Sequence, residues 1–338
     1  MRRDFIALGL VLLLTVGCGF TVTVVLPATT AVGVHVKGPS LALVHDVGHT
    51  IRAKNPPYAR VAQHPDTTVP GFDYGAVDLS HEPDLGLHAK AAMLVDLDAG
   101  AVLWARNAHL QRTPASLAKL MTAVVALQNA TPKTTIVVTA VAAGAEPSRM
   151  GLSEGELITV QDALYGMLLP SGNDAAEALA TGLMPRRGFL ALMNREAARL
   201  TMNDTHFTTP SGLDTPGTHT SVADLAVLAA YVIAAYPEIT AIASLHGYNI
   251  SATDTHKAYF LASANHFLDV YSGASGLKTG YTGDAGGCII ATVTRGERHL
   301  MVVLMGSDIM YGDAVHLFDY GFSGAAQTMA SRPPTIAS

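Results

Sequence analysis

Ser116 and Lys119 stand three residues apart in the run Thr113-Pro114-Ala115-Ser116-Leu117-Ala118-Lys119-Leu120-Met121-Thr122-Ala123. A hydroxyl beside an amine is the minimum equipment for nucleophilic acyl transfer. The hydroxyl is a weak nucleophile at neutral pH and needs a base, and a lysine serves as one only when its amine is neutral. Burial and a second nearby cation both favour the neutral amine. The chain offers such a cation in Lys278, within Gly276-Leu277-Lys278-Thr279-Gly280-Tyr281-Thr282. A third polar group, Ser171-Gly172-Asn173, lies in the loop string Leu169-Pro170-Ser171-Gly172-Asn173-Asp174. Each piece alone is weak: Ser-x-x-Lys is common on helix surfaces, Ser-Gly-Asn is a good turn before a helix, and Lys-Thr-Gly is an ordinary strand end. Their joint occurrence carries the argument.

The elements that must position these residues are legible from periodicity. Leu117, Leu120, Met121, Val124 and Leu127 recur at helical spacing, with Thr113 a candidate cap and Pro114 suited to the first helical position. On such a helix Ser116 and Lys119 share a face, with Cβ atoms about 5–6 Å apart, and the serine sits where backbone N–H groups are unpaired. Upstream, 91–96 and 101–105 flank a turn at Asp98-Ala99-Gly100 and read as a β-hairpin. A short β-like run covers 135–139, and helical patterns fill 159–235, broken by the loops at 169–174 and 208–213. Strand character returns at 275–281, 288–294 and 300–305, with turns at Gly283-Asp284 and Arg295-Gly296-Glu297, before a last helix over 313–320. N-terminal strands, a helical middle and C-terminal antiparallel strands predict an α+β fold in which the first hairpin joins the last strands in one sheet.

The three polar elements, in this order and in these settings, resemble the signature of penicillin-binding proteins and serine β-lactamases. The wider strings around Ser116, Ser171 and Lys278, together with His206-Phe207-Thr208-Thr209-Pro210-Ser211-Gly212-Leu213-Asp214, resemble the serine-type D-alanyl-D-alanine carboxypeptidases of peptidase family S11, over about 87–323. These are low-molecular-mass penicillin-binding proteins. The resemblance implies Ser116 as nucleophile and Lys119 as base. It further implies Ser171 as proton relay, Asn173 as a guide for Lys119 and the substrate amide, and Lys278 and Thr279 as receptors of the terminal carboxylate. The backbone N–H groups of Ser116 and Tyr281 would hold the oxyanion, and Gly280 would let substrate approach its strand. The implied substrate is the D-Ala-D-Ala terminus of a peptidoglycan stem peptide, with β-lactams as acylating inhibitors and with neither metal nor organic cofactor.

Two other functions fit the same elements: a β-lactamase, and a catalytically silent peptidoglycan-binding protein. A β-lactamase of this kind uses a Glu-x-x-x-Asn string between the second and third motifs. The glutamates there, Glu177, Glu196 and Glu238, are followed four positions on by Thr181, Leu200 and Ile242. The presence of Ser116, Lys119 and Lys278 counts against a silent protein. Asp174 reads as a helix-start residue, His206 as a loop residue and Cys288 as a buried inert thiol within an apolar run.

Composition bounds the rest. The 338 residues are 49% hydrophobic and 14% charged, enough for a sizeable core, and a net charge of −6 without a basic stripe argues against nucleic acid. Arg2 and Arg3 precede an uncharged apolar run over 5–26, long enough to span a bilayer and typical of export or anchoring segments. Within it Gly17-Cys18 resembles a lipoprotein processing site, and the start partly resembles a twin-arginine signal. The expected layout is a signal or membrane anchor at 1–26, an extracytoplasmic tether at 27–86 containing His45 and His49 as solvated linker histidines, a catalytic domain at 87–325 and a polar tail at 326–338. Many family members add a β-rich domain and a C-terminal amphipathic helix; few residues follow Ser323, so anchoring is expected at the N-terminus.

Overall fold

The computed structural model describes residues 83–323, the pair 71–72, and the backbone of 11–16, 20–25 and 33–37. The chain divides into two units, 1–54 and 55–338. In the first, β1 (Val11–Val16), β2 (Phe20–Val25) and β3 (Gly33–Lys37) pair as an antiparallel meander. The apolar run over 5–26 therefore contributes strands, in keeping with its Thr21-Val22-Thr23-Val24-Val25 stretch of β-branched residues. β3 falls inside the expected tether, where Val32, Val34 and Val36 form a short period-2 pattern amid glycine and proline. Cys18, His45 and His49 lie outside the described residues.

The second unit begins with β4 (Ala91–Asp96) and β5 (Ala101–Arg106). A 3₁₀ turn, Ala115–Ala118, runs directly into α1 (Lys119–Asn129). The helical body follows: β6 (Thr135–Val137), α2 (Ala140–Ala143), β7 (Leu157–Thr159), α3 (Val160–Leu168), α4 (Asn173–Leu183), α5 (Arg186–Arg199), α6 (Val222–Ala235) and α7 (Pro237–Ala243). A second hairpin, β8 (Gly247–Ile250) and β9 (Tyr259–Ala262), leads to α8 (Phe267–Val270). Last come β10 (Lys278–Thr282), β11 (Gly286–Arg295), β12 (Arg298–Ser307) and α9 (Met310–Phe322).

Five strands form one antiparallel sheet in the order β10-β11-β12-β4-β5, so the first hairpin does join the last strands. Both faces are covered. Met93, Val95, Met301 and Val303 face the helical body, while Leu94, Leu300, Val302 and Leu304 pack with Leu317 and Phe318 of α9. Burial on two sides explains why these strands read as continuous apolar runs instead of alternating ones. In β5 the register slips between Leu94–Trp104 and Val95–Val102, leaving Leu103 as the extra residue. That bulge lets Leu103 and Trp104 both serve the α9 side.

Two local expectations change. Thr113 caps nothing: its buried hydroxyl has no partner among the described residues, and the Ser116 run opens as a 3₁₀ turn at Ala115, whose φ is 48°. The strand predicted from 275 begins only at Lys278, because Gly276 adopts φ +80° where a Cβ would meet the Ala243 carbonyl at 2.7 Å. Among the described residues no single helix is long and apolar enough to cross a membrane.

Candidate active site

The 3₁₀ turn sets the first geometry. With three residues per turn, positions i and i+3 eclipse, and Lys119 Nζ lies 2.7 Å from Ser116 Oγ. The same nitrogen donates to Asn173 Oδ1 at 2.7 Å and to the Ser211 carbonyl at 2.9 Å. Lys119 is fully buried and Ser116 is partly exposed.

The identity of those acceptors matters. The Ser211 carbonyl can only accept, and Asn173 can only accept through Oδ1. The Asn173 amide is oriented by its other end, because Nδ2 donates to the carbonyls of Glu146 and Pro147, each at 3.0 Å. A neutral amine has two N–H donors and one lone pair. With both donors committed to Asn173 and Ser211, the lone pair is left for the Ser116 hydroxyl. Desolvation, then the charge of Lys278, holds the Lys119 amine well below the usual lysine range, with Asp174 opposing.

β10 supplies the opposite wall. It is an edge strand, and a Cβ added at Gly280 would sit 2.7 Å from the Ser116 N and 2.9 Å from Ala115 Cβ. Only glycine lets this strand lie so close to the serine turn. Lys278 and Thr279 are buried beside it, whereas Tyr281 is 74% exposed. Lys278 Nζ donates to the Thr279 carbonyl at 2.8 Å, and burial pushes its pKa down to about 7.

Ser171 and Asn173 arrive from the loop into α4. Ser171 is almost buried and adopts φ 62°, an uncommon conformation for a non-glycine residue and of the kind stored at functional sites. Among the described residues its hydroxyl makes no hydrogen bond to Ser116 or Lys119. Thus Ser116, Lys119 and Asn173 are joined directly, Gly280 abuts them, and Lys278, Thr279, Tyr281 and Ser171 surround them.

One component lacked any chemical signal in sequence. The 209–212 loop gives the Ser211 carbonyl to Lys119, and the Pro210 carbonyl accepts from Thr122 Oγ1 at 2.6 Å. Gly212, at φ +80°, packs where a Cβ would fall 1.8 Å from the Ala115 carbonyl. Backbone carbonyls have no residue type, so only the family string around Ser211 hinted at this wall. Cys288 is buried among apolar neighbours, which pushes its thiol up to about 11.

The fold that carries this site is shared with solved proteins. Penicillin-binding protein D2 of Listeria monocytogenes, in its ampicillin-bound form, is 30% identical, with a TM-score of 0.63 over 72% of this chain and 100% of that one. The α+β fold is therefore that of the penicillin-binding proteins. The chain is 37% identical over 255 residues to the D-alanyl-D-alanine carboxypeptidase DacD of Escherichia coli (strain K12), covering 72% of this chain and 64% of DacD. It is 35% identical over 245 residues to the D-alanyl-D-alanine carboxypeptidase DacB2 of Mycobacterium tuberculosis, covering 70% and 82%. It thus spans just under two thirds of the length of DacD. The profile of peptidase family S11, D-alanyl-D-alanine carboxypeptidase, matches residues 78–309, and the chain belongs to that family.

Proposed function

We propose that this protein is a serine DD-carboxypeptidase that removes the terminal D-alanine from peptidoglycan stem peptides and is acylated by β-lactams. The observation that carries the proposal is the Lys119 nitrogen, buried, 2.7 Å from Ser116 Oγ, with its other bonds on atoms that can only accept. Lys119 takes the Ser116 proton as Oγ attacks the carbonyl between the two D-alanines. The backbone N–H groups of Ser116 and Tyr281 stabilise the oxyanion. Ser171 passes a proton to the departing D-alanine, Asn173 aligns Lys119 and the substrate amide, and Lys278 and Thr279 hold the substrate carboxylate. The close packing at Gly280 supports approach of the substrate backbone to β10. Water, activated by Lys119, then releases the acyl group.

Action on peptidoglycan puts the catalytic unit outside the cytoplasm. The apolar run over 5–26 is the proposed export and anchoring segment, with lipid on Cys18 as one route; mass spectrometry of the mature N-terminus distinguishes anchor from lipid, and an unmodified, cleaved protein overturns both.

The test of function pairs a diacetyl-lysyl-D-alanyl-D-alanine peptide with a labelled penicillin. Release of D-alanine and a covalent adduct are expected, both lost in Ser116→Ala. An adduct that persists in folded Ser116→Ala overturns the nucleophile. Rapid penicillin turnover without D-alanine release would establish the β-lactamase, and neither reaction would establish a silent binding protein.

A further inference from the structure

We propose that Asp174 is a positioning residue for acylation: its buried carboxylate fixes the 146–152 loop whose carbonyls orient the Asn173 amide toward Lys119. The inference rests on the reading of Lys119 as base. Asp174 is fully buried, and its hydrogen-bond partners among the described residues are all backbone N–H groups. Oδ1 accepts from the N–H groups of Met150 and Ala175, each at 2.9 Å, and Oδ2 from those of Gly151 at 2.8 Å and Leu152 at 2.9 Å. Four backbone donors, two per oxygen, together with the N-terminal end of α4, compensate a carboxylate in the interior. Three of the four donors belong to one stretch of loop.

That stretch continues directly into the atoms that orient Asn173. The Glu146 and Pro147 carbonyls accept from Asn173 Nδ2, and the Ser148 carbonyl accepts from the Asn173 N–H at 2.7 Å. Asp174 and Asn173 thus hold adjacent parts of the same loop. The Ser148 contact is the link between them, since it ties the start of α4 to the loop through the backbone. Gly172 completes the junction. A Cβ there would lie 2.7 Å from the Gly166 carbonyl, 2.8 Å from Asp174 Oδ1 and 3.0 Å from the Met150 N, so the glycine between Ser171 and Asn173 is what allows the loop and carboxylate to meet. If the loop shifts, Asn173 loses both acceptors of its amide nitrogen, and Oδ1 is no longer held against Lys119.

Asp174 also reaches Lys119 through its charge. The charged groups acting on Lys119 are Lys278 from β10, which favours the neutral amine, and Asp174 from α4, which favours the ammonium. Removing the Asp174 charge lets Lys119 lose its proton at lower pH. That effect follows from the charge alone, so the midpoint reports the Asp174 charge while the plateau rate of the folded variant reports its positioning.

The experiment measures the rate of acylation by a labelled penicillin against pH, with the full chain, alongside thermal unfolding. Acylation of the wild type at Ser116 comes first; its absence would refute the functional reading and not this inference. In folded Asp174→Asn the plateau rate should fall about 10- to 100-fold, the loss expected from misplacing a catalytic group by a fraction of an ångström to an ångström. The acid limb should move to lower pH. Gly151→Pro tests the same link from an exposed position. It removes one loop N–H from Asp174, and proline cannot hold the φ of +99° found there, so the loop shifts while the carboxylate stays. The rate should then fall with the acid limb unmoved. A plateau within twofold of wild type in either folded variant overturns the proposal.

Discussion

Lys119 and Lys278 are both buried, and among the described residues neither has a carboxylate hydrogen-bond partner, so each is held below its ordinary protonation range by desolvation. The proposed mechanism needs them in opposite states: Lys119 neutral to accept a proton, Lys278 charged to attract a carboxylate. The ratio kcat/KM for the D-alanyl peptide should therefore rise with pH as Lys119 deprotonates and fall as Lys278 does, near pH 7 in the free protein. Lys278→Arg keeps the cation at all working pH values and should remove the alkaline limb. A limb that stays in place would show that another group sets it. The glutamates bear on a second prediction. Glu177 pairs with Arg186, Glu196 with Arg199 and Gln128, and Glu238 lies in the first turn of α7. With two of the three engaged elsewhere and no dedicated deacylating carboxylate assigned, the penicilloyl adduct should outlast the peptide acyl-enzyme by orders of magnitude, each about 1.4 kcal/mol of barrier being tenfold in rate. Intact-mass measurements over time check this, and rapid loss of the adduct contradicts it.

At the scale of elements, the serine turn is held between two glycines. Gly280 brings β10 against Ser116, and Gly212 brings the 209–212 loop against Ala115. Their failures should differ. Gly280→Ala adds a Cβ 2.7 Å from the Ser116 N, which displaces the edge strand from the proposed nucleophile, so acylation should slow by about 10- to 100-fold with a modest loss of stability. Gly212→Ala combines a backbone clash at 1.8 Å with a left-handed φ of +80°, and should cost about 2–4 kcal/mol of stability, read as a fall in Tm. A Gly212→Ala protein with wild-type Tm would mean that the loop relaxes away from the turn.

For the whole second unit, the sheet buried on both faces supplies the rigidity that keeps two lysines out of water. That arrangement lowers stability in favour of function, because an uncompensated buried cation is destabilising. The sign follows from linkage. The folded protein releases the Lys278 proton near pH 7, the unfolded chain only near the ordinary lysine value of about 10.4, so between these the unfolded state binds more protons and stability rises with pH. Lys278→Met removes the penalty, and should raise stability by about 1–2 kcal/mol at or below pH 7, with the advantage shrinking toward pH 10 and with D-alanine release abolished. Thermal unfolding across pH measures it; a variant less stable than wild type at pH 6 would show that the ammonium is compensated in the folded state.

The proposed chemical kit rests on residue types and order: Ser116 with Lys119, Ser171 with Asn173, and Lys278-Thr279-Gly280 each carry a local signal, and their succession carries the family resemblance. The pairing of the first hairpin with the last strands was legible too, since apolar runs and glycine turns are short-range patterns. Other features depended on contacts between distant parts of the chain. The cap expected of Thr113 gave way to a 3₁₀ turn, because the turn is confined by Gly280 and Gly212 from elsewhere in the chain. Asp174 read as a helix-start residue, and its bonds to 150–152 emerge only when the loop folds back over α4. The aim of the Ser211 carbonyl at Lys119 had no signal in residue type beyond the family string around it, since every residue has a carbonyl and the contact spans 92 positions. Sequence by itself determined which groups the proposed reaction draws on. The tertiary structure decided their protonation, because burial and the spacing of charges are properties of packed elements and not of any one residue.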